Sequence, residues 1–119
     1  MALPQSSPRK GDKILLMLEP WLSLVLSGKK TMEVRGTAFR AGKYYLGVKE
    51  KIYGVALTGP PRFIADSERF RQLRHLHRVT GTKPYKNTFG LPIVQVKCFP
   101  KPIPYKHTRG AQQILKYRC

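Results

Sequence analysis

The residues from Ile14 to Arg35 constrain the fold more than any other part of the chain. Ile14-Leu15-Leu16-Met17-Leu18 is an unbroken apolar run, short enough for a strand buried on both faces. Pro20 has no N–H to lose and a preset φ, so it suits the first turn of a helix. Leu22, Val25 and Leu26 then fall at i, i+3 and i+4 and give that helix one apolar face. Gly28 supplies the left-handed residue that closes it. After it, Thr31, Glu33 and Arg35 alternate with Met32 and Val34, the pattern of a half-buried strand with its polar side turned outward. Glu33 and Arg35 then share a face, about 7 Å apart at the usual rise of a strand. Lys30 emerges from the turn just before them. With Trp21 nearby, a Lys/Glu/Arg cluster beside a helix terminus is a candidate site.

The rest of the chain is read around that stretch. Residues 1–12 are expected to be a flexible basic arm, because Pro, Ser and charge give it nothing to bury, and residues 13–119 a single domain. Gly36 to Lys43 is a loop carrying Arg40 and Lys43. Tyr44 to Val48 and Ile52 to Thr58 predict two strands joined by a charged Lys49-Glu50-Lys51 turn, with Gly54 marking a bulge or a close backbone approach. Gly59-Pro60-Pro61 ends the second abruptly. Asp66 to Val79 predicts one helix, capped by Asp66 or Ser67, with Phe70, Leu73 and Leu76 (or His77) as its apolar stripe. Its arginines, Arg69, Arg71, Arg74 and Arg78, make either a solvated face or a phosphate-contacting one. His75 and His77 lie two apart and point in different directions from a helix, so no metal site is expected there. Thr80 to Gly90 is a polar loop, a connector or a lid. Leu91 to Phe99 is a strong strand. Pro100, Pro102 and Pro104 argue for an extended edge without regular pairing beyond it, and Ile114 to Tyr117 is a closing strand.

Charge narrows the function. The 119 residues hold 23 Lys plus Arg against 6 Asp plus Glu, a net charge of +17, while 41% are hydrophobic. The chain is therefore a folded domain whose self-repulsion is relieved by a polyanion, nucleic acid before an anionic membrane. Cys98 and Cys119 form no spaced pair and no disulfide framework, which fits a reduced, intracellular protein of cytoplasm or nucleus. Residues 1–13 lack the apolar core of a signal peptide, and Glu19 and Pro20 interrupt the longest apolar stretch, so no membrane association is expected.

Gly28-Lys29-Lys30-Thr31-Met32-Glu33-Val34-Arg35 resembles the G-x-K-x-x-E-x-R signature of the ASCH domains, a branch of the PUA-like superfamily. Pro102-Ile103-Pro104-Tyr105-Lys106-His107-Thr108-Arg109-Gly110 is similar to that family's P-I-P-Y-x-x-x-x-G segment before its last strand. The two motifs, with the apolar strand before the first and the closing strand after the second, span residues 14 to 117. The resemblance implies an α+β fold, a small PUA-like β-barrel of about five to six strands flanked by two or more helices, and the order of short strands and helices agrees with it. It also implies a role in RNA metabolism or transcription coactivation, and it places Tyr105, Lys106 and Arg109 near the cleft. Some relatives are amidohydrolases acting on N4-acetylcytidine nucleosides, and others have been proposed as ribonucleases. The amidohydrolases' lysine corresponds to Lys30 and their arginine to Arg35, but their nucleophilic threonine corresponds to Glu33.

From these residues the main expectation is a nucleic-acid-binding domain, most readily monomeric, that holds RNA or single-stranded DNA in a basic cleft. Lys30 and Arg35 would contact phosphate or base, Glu33 would orient the pair or accept from a base amino group, and Trp21 would offer a stacking surface. Lys29, Arg40, Tyr105, Lys106 and Arg109 would extend the contact. No catalytic triad, phosphate-cradling glycine loop or metal-ligand cluster is legible, and no cofactor is expected. Enzymatic activity stays open with the weight against it. A hydrolase would use Lys30, Thr31 and Glu33. A third class, a basic protein-interaction module, would use the arginine-bearing helix.

Overall fold

The computed structural model describes residues 7–107, 110 and 113–118. Among them the chain forms β1 (Lys13–Leu16), α1 (Trp21–Leu26), β2 (Met32–Arg35), β3 (Gly42–Val48), β4 (Lys51–Thr58) and β5 (Arg62–Ile64). It continues through α2 (Ser67–Gln72), α3 (Arg74–His77), β6 (Thr88–Pro104) and β7 (Ile114–Lys116). The seven strands make one curled sheet in the order β2-β6-β4-β3-β1-β7, with β5 also paired to β6. All pairs are antiparallel except β1 with β3. The α+β class and the small curled barrel architecture are as the sequence implied. No helix among the described residues is long and apolar enough to cross a membrane.

The β3–β4 hairpin turns at Lys49 and Glu50, whose φ values of 52° and 63° are both left-handed, the twist a two-residue hairpin needs. Alternation along β3 then feeds two cores. Tyr44 and Leu46 join Leu15, Leu22, Val25 and Leu91 beneath α1, while Tyr45 packs with Ile14, Ile52, Val55 and Phe99 on the other face of the sheet. Gly54 is the close approach its position in a strand suggested. A Cβ there would lie 2.5 Å from the Lys97 carbonyl oxygen and 2.7 Å from Leu26 Cδ2, so α1 seats against the sheet only because that side chain is missing.

Three expectations need correction. The single helix from Asp66 to Val79 is two short helices. Asp66 caps α2, its carboxylate accepting from the Arg69 N–H at 2.8 Å. At Leu73 the N–H is shared between the Arg69 and Phe70 carbonyls, both at 3.2 Å, which tightens the turn and ends the regular helix. Arg78 then turns left-handed at φ 64°. The second is an omission, β5, which the sequence did not mark and which resumes pairing with β6 immediately after the Gly59-Pro60-Pro61 stop. The third is β6, which continues through its prolines. Pairing with β4 passes from Gly54↔Cys98 to Ile52↔Ile103 and skips residues 99–102, and it includes Pro104 opposite Lys51. Pro100 and Pro102 fall in the skipped stretch, where no ladder bond with β4 is there to be lost.

Pairing of β7 with β1 brings the two ends of the described chain together. The turn at residues 9–12 is bonded to the last strand, with Gly11 N–H to the Tyr117 carbonyl at 2.9 Å and Tyr117 N–H to the Asp12 carbonyl at 2.7 Å. β2, at the opposite end of the sheet order, has no backbone ladder to β1. A side chain crosses that seam instead, and the candidate site lies there.

Candidate functional site

The turn after α1 sets up the site. Gly28 has φ +81°, and its N–H reaches the Val25 carbonyl at 3.0 Å, ending the helix as its position predicts. The Lys30 N–H then bonds the Leu24 carbonyl at 3.0 Å, and Thr31 is held on both sides, by Leu76 at 2.9 Å and Ile93 at 2.8 Å. These bonds fix where the next residues point. Met32 and Val34 enter a third core with Ile64, Phe70 and Leu73, and Glu33 and Arg35 face the other way.

That other side is not solvent. Lys30 is 1% exposed, Glu33 5% and Arg35 9%. The polar face of β2, expected to look outward, forms the floor of a cleft. Charge compensation makes this burial tolerable. Arg35 donates from Nε to Glu33 Oε2 at 2.8 Å, and its Nη2 lies 2.8 Å from the same oxygen. Nη2 also donates to the Leu16 carbonyl at 2.6 Å, which joins β2 to β1 across the seam. Lys30 Nζ lies 3.5 Å from Glu33 Oε1, donates to the His77 carbonyl, and sits 4.7 Å from the centre of the Trp21 ring. Burial pushes the Lys30 ammonium below the ordinary lysine value and Arg35 adds to the effect, while Glu33 opposes both through its charge and hydrogen bond.

His77 supports the cluster from behind. Its ring stacks on Phe70 at 4.1 Å, Nδ1 accepts from the Val79 N–H at 2.9 Å, and Nε2 is 2.8 Å from the Phe70 carbonyl. Those partners require the neutral Nε2–H tautomer. Burial holds its pKa below the ordinary histidine value, with the Lys30, Arg74 and His75 charges acting the same way and the Phe70 carbonyl opposing them.

The cleft has a volume of about 650 Å³, within the range of small-molecule sites. Trp21 and Tyr85 line it together with the Lys30–Glu33–Arg35 floor, and Leu18, Thr37 and Gln113 lie at its margins. Tyr85 was not singled out from the sequence. It comes from the loop after α3 and lies against Gly36, where a Cβ would meet the tyrosine ring at 3.1 Å. A glycine directly after the charged strand, together with an aromatic amid the polar residues 80–88, is the signal that points to this packing. The loop itself is pinned, since Thr88 Oγ1 donates to the Tyr85 carbonyl at 2.8 Å.

The structure thus brings Trp21, Lys30, Glu33 and Arg35 together and leaves the other expected residues outside the cleft lining. Thr31 precedes β2 with an exposed side chain. Lys29 is exposed at the turn, where its carbonyl accepts from Arg78 Nε at 3.0 Å. Arg40 and Lys106 are exposed. Tyr105, expected near the cleft, is instead buried in the second core, with its N–H bonded to the Glu50 carbonyl at 3.0 Å. Arg109 lies outside the described residues. His75 is exposed and His77 buried, and the described residues contain no cluster of three or more His, Cys, Asp or Glu placed to hold a metal ion.

No family model and no curated protein matches the sequence. The structure is similar to the crystal structure of a mutant of ZmASCH from Zymomonas mobilis, with a TM-score of 0.72 over 94% of this chain and 92% of that one, at 12% sequence identity. The fold of this chain is therefore of the ASCH type.

Proposed function

We propose that the chain binds single-stranded nucleic acid, RNA in preference to DNA, by taking one unstacked base into the cleft. One observation carries the reading. Two aromatic side chains, Trp21 and Tyr85, line a cleft whose floor charges already have partners within the protein. Both cations of the triad, which is +1 overall, already donate to the His77 and Leu16 carbonyls and to Glu33, so the buried floor is not an open seat for a phosphate. The Glu33 carboxylate keeps lone pairs free to accept from a base amino group, and aromatic faces suit any base. Phosphates then belong at the exposed cations, Lys29 and Arg40 among them, drawn by the net charge of +17. The preference for RNA rests on the ASCH resemblance and on the ability of a 2′-hydroxyl to contact the cleft margin. Binding is favoured over turnover because Lys30 and Glu33 are each other's partners and the Thr31 hydroxyl lies outside the cleft lining.

The test is fluorescence anisotropy on matched single-stranded RNA, single-stranded DNA and duplex, across a salt series. Wild type should prefer single strands. Trp21→Ala and Tyr85→Ala should each weaken binding by roughly 5- to 150-fold, the worth of one base stack, without changing the salt slope. Binding that ignores strandedness and both substitutions would overturn the reading.

A further inference from the structure

Phe63 is 57% exposed on β5, one of few large apolar side chains left in solvent. Its neighbours give that exposure a direction. Phe63 is paired with Phe89 on β6, and Phe89 on its other side is paired with Arg35 on β2. Directly opposed residues of a sheet share a face, so Arg35, Phe89 and Phe63 form one row across three strands. At about 4.8 Å per strand the row is roughly 10 Å long. It begins at the cleft floor and ends at an open edge. The two rings meet edge to face, centroids 5.5 Å apart and planes at 60°. Half-buried Phe89 therefore props Phe63 and leaves it accessible. Phe39 adds a third ring at the start of the row, 5.9 Å from the Arg35 guanidinium carbon.

We propose that the Phe63–Phe89 ledge is a second stacking position, taking the base adjacent to the one held in the cleft. The proposal rests on the reading of the cleft given above and extends it to the path of the strand. Continuity favours this occupant, because the ledge is in register with Arg35 and within reach of a neighbouring nucleotide. Charge favours it too. A chain of +17 opposes a second copy of itself.

Affinity as a function of ligand length tests it. Trp21 is the sole tryptophan, so its fluorescence reports cleft occupancy by a ribonucleoside monophosphate, a dinucleotide and a tetranucleotide alike. Wild type should bind the tetranucleotide more tightly than the monophosphate. Phe63→Ala, at an exposed position, should keep the monophosphate affinity and lose roughly 5- to 150-fold on the tetranucleotide, and Phe63→Tyr, which adds no second tryptophan, should restore it. Unchanged tetranucleotide affinity in Phe63→Ala would overturn the ledge while leaving the cleft intact. So would a dimer, seen in sedimentation, that Phe63→Ala dissolves without affecting the tetranucleotide. Failure of wild type to bind any of the three ligands would overturn both.

Discussion

Lys30 sits in the floor of the cleft with its charge held by partners inside the protein. Its ammonium is enclosed by the His77 carbonyl, the Glu33 carboxylate and the Trp21 ring. Removing the anion and removing the cation are therefore unequal operations. Glu33→Leu leaves Lys30 and Arg35 facing each other in a buried place, a loss of about 3–5 kcal/mol. Lys30→Met keeps the Glu33–Arg35 pair and fills similar volume, so about 1–2 kcal/mol is expected. Urea unfolding of the two variants checks this, and equal losses would contradict the asymmetry. The three charges were legible as a cluster because their spacing is short. Their burial was not, because it depends on Trp21 and Tyr85 arriving from separate elements, and the outward polar face expected of β2 follows only if nothing covers it.

The pair α2 and α3 shows what periodicity misses. An apolar stripe through Phe70, Leu73 and His77 reads as one helix, and all three are indeed buried. The break lies at Leu73, where the shared N–H tightens the turn, and α3 ends where the His77 side chain receives the Val79 N–H. That choice has a pH consequence. A histidine held below its ordinary value of 6.5 stays neutral in the folded state while the unfolded chain protonates. Stability is therefore fully present above about pH 6.5 and declines as the pH falls below it, by at most about 1.4 kcal/mol per pH unit. His77→Leu should lower the melting temperature at pH 7.5, because two backbone groups lose partners, and flatten the decline between pH 6.5 and 5. An unchanged slope would assign the acid sensitivity elsewhere. Strands were easier to read than this helix pair. Val, Ile and Tyr runs marked β3, β4 and β6, whereas β5, with three residues after two prolines, left too short a pattern to find.

At the scale of the molecule the excess of positive charge acts in two opposite ways. It draws polyanions and it strains the compact state. Raising salt from about 50 to about 200 mM should weaken single-strand binding by about 20-fold if about three phosphates are neutralised. The same change should raise the melting temperature of the free protein, because self-repulsion is screened. Anisotropy and calorimetry on one buffer series decide the matter. A melting temperature that falls with salt would mean that attractive ion pairs, such as Lys43 with Asp12 at 3.7 Å, outweigh the repulsion.

The bonded ends of the described fold carry a further meaning. Because residues 11 and 12 are tied to residue 117, the described fold starts and finishes at nearly the same point. Such a body can be spliced into a surface loop of a host protein without prising that loop apart, and its ends can be joined and reopened at the Lys49–Glu50 turn with the same strand neighbours kept. The fold is in that sense a cassette, portable between architectures, and its cleft travels with it.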